Sequence, residues 1–445
     1  MCKHLDKIFK YARIISRFWL SGCIFQFLFV YSKYLLYLCS RNRKVTIDRK
    51  MKKGFIWVMA LGIAVLMAGM SCHHKNEPAQ VPEPEEEIVE TKMMQIDSLG
   101  WYWQIKCPID ISTAALSVQT DRIRLHFFGW EAEQDSLFAV SFPNNTSDYG
   151  RVLLGYKMCG WNQGPADWDM TTMIKIHDKA NDQWLEFVRA ITPYGGGFGA
   201  NWEKTFYIDV TEFLPLLQGE AEFRIFYCGW DATATKAHAV ELTFLFFEEA
   251  NRYGTPAGWQ KVYDSTLPND GGNGYRAWSY GVEGWSIEDE SRLGQRTIDV
   301  PAGTKQVLLR VCITGHGQDA YNETAERKSI FPNRTPSAAT NCAEFDHNWY
   351  EVWLNGEKLN QQGDIWELNT GTHNYRQAGT YQYHRAGWGP GKPCNIHHWL
   401  ITGLPSNGTQ LTLDFNLDDY ISPCTKPNDD KVACYYVMTD AFFYQ

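Results

Sequence analysis

The stretch "TFYIDVTEFLPLLQGEAEFRIFYCGW", residues 205–230, holds two short β-rich runs around a proline- and glycine-bearing turn. In the first, Phe206, Ile208 and Val210 alternate with polar or amphipathic residues, and in the second Ala221, Phe223, Ile225 and Tyr227 do the same. A period of two puts one set on each face of a strand, which predicts antiparallel strands with one face on a core. The pattern recurs outward in both directions. "DRIRLHFFGW" (121–130), "MTTMIKIHD" (170–178) and "VELTFLFFEE" (240–249) make one group, bounded by Gly, Pro, Asn and Asp. "RTIDVPAGTKQVLLRVCITG" (296–315), "NWYEVWLNGEKL" (348–359), "HHWLITGL" (397–404), "QLTLDFNLDDY" (410–420) and "ACYYVMTDAFFY" (433–444) make a second. Long amphipathic helices and solenoid repeats are missing, so the expected architecture is two antiparallel β-sandwiches that meet near residue 250.

The chain has 445 residues, room for two or three domains. Its net charge of -9 and lack of a lysine and arginine stripe exclude a nucleic-acid partner. Aromatics make up 15% of residues and include 18 Trp. Such rings fill sandwich cores, and they also cover the apolar face of a sugar.

Residues 51–72, "MKKGFIWVMALGIAVLMAGMSC", have a basic start, a short apolar core and small residues leading to Cys72. This looks like a bacterial lipoprotein signal ending at a lipidated cysteine. It predicts an exported protein held by lipid in the outer membrane, facing the periplasm or the cell exterior. Residues 73–92 follow as an acidic tether, with six glutamates and three prolines between Glu77 and Glu90. Residues 1–50 contain a second apolar run and are read as a non-native leader or an extra membrane segment. Residues 93–250 and 251–445 are expected to be the two domains.

Of 12 cysteines, eight follow Cys72: Cys107, Cys159, Cys228, Cys312, Cys342, Cys394, Cys424 and Cys434. In an exported protein an even set points to disulfides, though spacing cannot give their connectivity. Cys424 and Cys434 flank a loop between two strands and are the simplest pair. No spacing suggests zinc, and the adjacent His397 and His398 point to opposite faces of a strand.

"ADWD" (166–169) places Asp167 and Asp169 around Trp168 at a strand entry. On one face, two like charges would raise at least one pKa; alternatively, Asp167 caps a turn and Asp169 is exposed.

From this point the chain resembles the bacterial peptide-N-glycosidase F (N-glycanase) family. The resemblance runs through the W-D strand, "QWLEFVRAITPYGGG" (183–197), "FYIDVTEFLPLLQGEAEFRIF" (206–226), "ITGHG" (313–317), "CAEF" (342–345) and "HRAGWGPG" (384–391), in family order. It implies two jelly-roll β-sandwiches packed side by side. The implied activity is hydrolysis of the amide between asparagine and the first N-acetylglucosamine of an N-glycan, with no metal or cofactor. The implied partner is an N-glycoprotein or glycopeptide, and a monomer is expected. Asp169 and Glu344 take the catalytic positions. Arg385, Trp230, His316, Trp388 and Asp167 take substrate-binding ones. Departures from the family include Cys228 for a glutamate, Met170 for an arginine, His316 for a tryptophan, and Asp346 and Gly389 for cysteines. With those local partners gone, the resemblance implies bridges Cys159–Cys228 and Cys342–Cys394, and Glu344 positioned by a longer-range bridge or by Phe345 and Trp349. A non-catalytic glycan- or protein-binding lipoprotein on the same fold is the alternative. A glycosidase using Asp169 and Glu344 as its two carboxylates is a third reading.

Overall fold

The computed structural model describes residues 90–96, 109–125, 135–228, 235–265, 293–316, 344–345, 347–369, 375–417 and 434–445. They form four antiparallel sheets. One sheet orders Leu116–Gln119, Lys236–Phe247, Arg151–Asn162 and Glu203–Asp209, and its partner orders Lys392–Pro393, Gln183–Ile191, Thr171–Asp178, Glu220–Cys228 and Asp135–Ser141. Between them lies one core, which takes Phe206, Ile208 and Val210 from one side of the opening stretch and Phe223, Ile225 and Tyr227 from the other. The link between those strands is a 3-10 turn, Thr211–Leu216, that buries Phe213 and Leu214. It begins within the run "TFYIDVTEF", so the strand predicted there stops at Asp209.

The second sandwich pairs Lys92–Ile96, His397–Thr402, Gln306–His316, Cys434–Tyr444 and Pro256–Asp264 against Arg296–Val300, Thr409–Leu417, Asn348–Leu354 and Glu357–Ile365. Asn355 and Gly356, with φ of 52° and 79°, close the hairpin in that outer sheet, as an Asn-Gly two-residue turn requires. The run "QVLLRVCIT" is almost wholly apolar because its strand is buried on both faces. Val307, Leu309, Val311 and Ile313 enter the second core, while Leu308 enters the first.

The expected domain boundaries are corrected at two points. Lys92–Ile96 pairs with His397–Thr402 and so belongs to the second sandwich, and Lys392–Pro393 pairs with Gln183–Ile191 of the first. Each half therefore lends the other an edge strand.

Polar groups fill the seam between the halves. A β-bulge at Phe187, opposite Ile174 and Lys175, changes the register of Gln183–Ile191 against Thr171–Asp178. It turns Glu186 and Arg189 to the same side, where they pair at 2.9 Å with side chains 1% and 0% exposed. Arg189 also donates to Thr314 Oγ1 (2.7 Å) and the Tyr436 carbonyl (3.0 Å). Arg310 crosses the other way, to the Phe187 carbonyl at 2.9 Å and Glu212 at 2.8 Å. His398 lies 3.7 Å from Glu212, whereas His397 faces the second core and bonds the Tyr350 hydroxyl.

Phe187 sits edge-on to Phe213 and Phe223 with centroids at 5.0 and 5.6 Å. Phe187→Ala should lower stability by about 3–5 kcal/mol, read as a drop in the urea midpoint. Leu137→Ala, at a side chain 72% exposed on the first sandwich, should change it by no more than about 0.5 kcal/mol.

Candidate active site

Asp169 lies just before strand Thr171–Asp178. Its local chain is fixed by backbone and side-chain bonds: the Met170 N–H donates to Thr192 Oγ1 (2.8 Å), and the Thr192 N–H donates to the Met170 carbonyl (2.9 Å). The Trp168 carbonyl accepts from Thr192 Oγ1 at 3.2 Å and from His238 Nε2 at 3.0 Å. Burial lowers the His238 pKa to about 4, so this ring stays neutral and its proton sits on Nε2 for that bond. The Met170 side chain packs against the first core.

Arg385 approaches from the second half with a side chain 0% exposed. Its Nε donates to Glu344 Oε1 at 2.9 Å, and its outer nitrogens donate to the Thr380 carbonyl (3.1 Å), the Tyr383 carbonyl (2.9 Å) and Thr380 Oγ1 (3.0 Å). One outer nitrogen lies 4.0 Å from the Asp169 carboxylate. The guanidinium is held between two rings, with Phe345 at 5.0 Å and Trp388 at 4.8 Å. The Glu344 carbonyl accepts from the Ala386 N–H at 2.8 Å, which locks the two loops together. Gly387, with φ of 74°, follows directly; a Cβ there would run into the Ile313 carbonyl, so only glycine lets this loop lie against the second sandwich.

The loop has further anchors. Glu367 and Arg385 exchange backbone hydrogen bonds at 2.8 and 3.1 Å. Lys392, wholly buried, forms an ion pair with Glu367. Asn369 Nδ2 donates to the carbonyls of Tyr383 and Trp388.

Burial is the largest influence on Asp169 and raises its pKa to about 7; Arg385 opposes this and Glu344 adds to it. The expectation for "ADWD" is therefore half right in outcome and wrong in cause. Asp167 sits in an exposed bend outside the strand, beside Gly196, and the like charge that matters is Glu344. Tyr194, which residue patterns did not single out, lies close enough to Asp169 for its hydroxyl to favour the ionised carboxyl, and it pairs with Thr380 Oγ1 at 3.0 Å. Its sequence signal was the Pro-Tyr-Gly turn right after strand Gln183–Ile191.

The other expected substrate contacts sit differently. Trp388 is 4% exposed and its indole N–H is spent on the Gly315 carbonyl at 2.6 Å, so it is the floor beneath Arg385 and presents no open face. His316 stacks on Trp388 at 5.4 Å and bonds Thr314 Oγ1 at 2.6 Å; burial and Arg189 hold its pKa well below the ordinary value. Trp168, at 58% exposed, is the open aromatic beside Asp169. Trp349 packs on His347 at 4.9 Å, and Phe345 is the ring that meets the Glu344–Arg385 pair.

The two implied bridges are not made: Cys159 and Cys394 are buried free thiols. Cys159 shares its strand with Val152, Leu154, Tyr156 and Met158, which face the core, and parity turns it to the outer face near Lys157 and Arg122. The strand of Cys228 lies in the facing sheet, across that core. Cys394 packs with Ile191, Cys312, Trp388 and Met438. Trp230, Cys72, Cys342 and Cys424 lie outside the described residues, as do residues 1–89; Cys434 is described as a strand position only.

No family model matches the chain. Among curated proteins it is 25% identical over 267 residues, 59% of this chain and 67% of the relative, to peptide-N(4)-(N-acetyl-beta-D-glucosaminyl)asparagine amidase F of Elizabethkingia miricola. Among solved structures it is similar to PNGase F, a glycosylasparaginase from Flavobacterium meningosepticum, with a TM-score of 0.55 and 19% identity over 74% of this chain and 96% of that one. PNGF-II is similar with a TM-score of 0.52 and 13% identity over 74% of this chain and 65% of that one. These likenesses establish the two-sandwich fold.

Asp169 has its pKa raised in the folded state above the usual carboxyl value of 3.8, so its contribution to stability is present below about pH 4 and is lost as pH rises through about 7. Asp169→Asn removes that titration. From pH 4 to pH 8 the wild type should lose stability relative to this variant, by at most about 4 kcal/mol, in urea unfolding at each pH. Arg385→Met should move the Asp169 titration further up, as followed by carboxyl NMR.

Proposed function

We propose that this chain, a distant relative of the peptide-N-glycosidase F family, is an amidase that cleaves the bond between an asparagine side chain and the first N-acetylglucosamine of an N-linked glycan. The observation that carries this reading is the Asp169 carboxyl, set beside Glu344 and Arg385 and balanced to titrate at about 7. A group with that pKa accepts and returns a proton near neutral pH.

In this reading ionised Asp169 takes a proton from water as the water oxygen bonds to the amide carbon. That proton passes to the nitrogen as the carbon–nitrogen bond breaks. The products are aspartate and a glycosylamine, which breaks down to free sugar and ammonia. Glu344 strengthens Asp169 as a base through its negative charge, and Arg385 keeps the two carboxylates together. Tyr194 orients the Asp169 carboxyl, and the exposed indole of Trp168 offers a flat apolar face to a sugar ring. We place the protein outside the cytoplasm as a monomer, held to the bacterial outer membrane by lipid on Cys72.

Incubation with a denatured N-glycoprotein should release glycan and convert each occupied asparagine to aspartate, about 1 Da heavier than asparagine, by peptide mass. Asp169→Asn should lower the rate by roughly 10²–10⁴-fold, the usual worth of a positioned acid–base group, with Glu344→Gln less damaging. Equal rates in wild type and Asp169→Asn overturn the assignment. Glycan binding without conversion would favour the binding-protein reading, which Cys228 in place of the family's glutamate motivates.

A further inference from the structure

Cys312 and Cys394 share one small apolar cluster with Ile191, Trp388 and Met438, and each is 2% exposed. They reach it from opposite halves of the fold. Strand Gln306–His316 sends Val307, Leu309, Val311 and Ile313 into the second core, and sends Arg310 and Thr314 to Phe187 and Arg189 of the first sandwich. Alternation therefore aims the Cys312 thiol, between Arg310 and Thr314, at the first sandwich.

Cys394 follows the edge strand Lys392–Pro393, and its N–H donates to the Arg189 carbonyl at 2.9 Å. Arg189 is thus a common neighbour: its backbone holds Cys394, and its guanidinium bonds Thr314, two residues from Cys312. Glu186, paired with Arg189 at 2.9 Å, also lies close enough to Cys312 for its charge to disfavour the thiolate.

Both thiols are free in this structure; we propose that on oxidation Cys312 and Cys394 form a disulfide that clamps the Arg385-bearing loop to strand Gln306–His316. The loop is already tied near Arg385 by Glu367, and this bond would tie its far end to the strand that leads to His316. The two thiols release two protons and two electrons as one sulfur–sulfur bond forms. The electrons pass by thiol–disulfide exchange to an external disulfide, which becomes two thiols. Burial raises the Cys312 thiol to about 11 and Cys394 well above its ordinary value, so thiolate is scarce in the closed fold and exchange belongs to folding. The supply of oxidant in the cell rests on the reading of an exported chain; the pairing does not depend on the amidase reading.

The test refolds the full chain from its reduced, denatured state in a buffer of oxidised and reduced glutathione. The product is denatured with an alkylating reagent and no reductant, then mapped by peptide mass. The expected result is one linked peptide pair containing Cys312 and Cys394, about 2 Da lighter than the two reduced peptides, and a Cys394→Ser variant in which Cys312 alkylates. Both cysteines alkylated in protein that has regained its β-sheet spectrum, or either one linked elsewhere, overturns the proposal. If the chain does not refold, protein directed into an oxidising export compartment is mapped in the same way. A bridge after refolding, with free thiols in protein made by the native cell, supports the pairing and overturns export.

Discussion

Arg310 is buried between the two sandwiches, and its guanidinium must find partners there. A charge removed from water costs several kcal/mol unless it is paired and hydrogen-bonded. Arg310 meets that demand only if Glu212, on a 3-10 turn of the first half, and the Phe187 carbonyl lie within reach of a strand of the second half. Arg189 makes the reciprocal demand, reaching from the first half to Thr314 and Tyr436 of the second. Apolar sheets can slide over one another at modest cost. Directional bonds to buried charges cannot tolerate such a slip, so these two arginines set the relative placement of the halves.

That placement decides the electrostatics of the site. Asp169 comes from the first half and is short of solvent, which pulls its carboxyl towards the neutral form, while Arg385 pulls it back and Glu344 opposes Arg385. Burial and Glu344 together outweigh Arg385, and the carboxyl titrates at about 7. The balance holds only because Arg385 has no freedom: four hydrogen bonds, two rings and the Glu367 backbone bridge define its position. Lys392 and Glu367, with Asn369, brace the same loop with polar contacts inside the protein. The family resemblance places a cysteine where Gly389 stands, and here a Cβ at that position would collide with Asn369 and Lys392. The polar brace and the glycine thus occur together.

Much of the fold was legible because strand alternation is written in neighbouring residues. Phe206, Ile208 and Val210 declare their face without reference to anything distant, and so do Asn355 and Gly356 at their turn. His397 and His398 diverge as their adjacency requires. For the site, residue patterns reached Asp169 and Glu344 only with help from the family motifs, and Tyr194 escaped because a lone turn tyrosine carries no chemical pattern of its own.

The amino-acid sequence by itself determined an all-β chain in two groups of strands, an absence of basic patterning, and the approximate position of the carboxylate-bearing turn. Tertiary structure alone decided which edge strands cross between the halves, that Asp167 is exposed while Asp169 is half-buried, that Trp388 is a floor, and that Cys394 lies with Cys312 while Cys159 faces away. The physical reason is range. Periodicity follows from backbone geometry over a few residues, whereas burial, charge pairing and thiol proximity depend on contacts between residues tens to hundreds of positions apart, whose register no local pattern encodes.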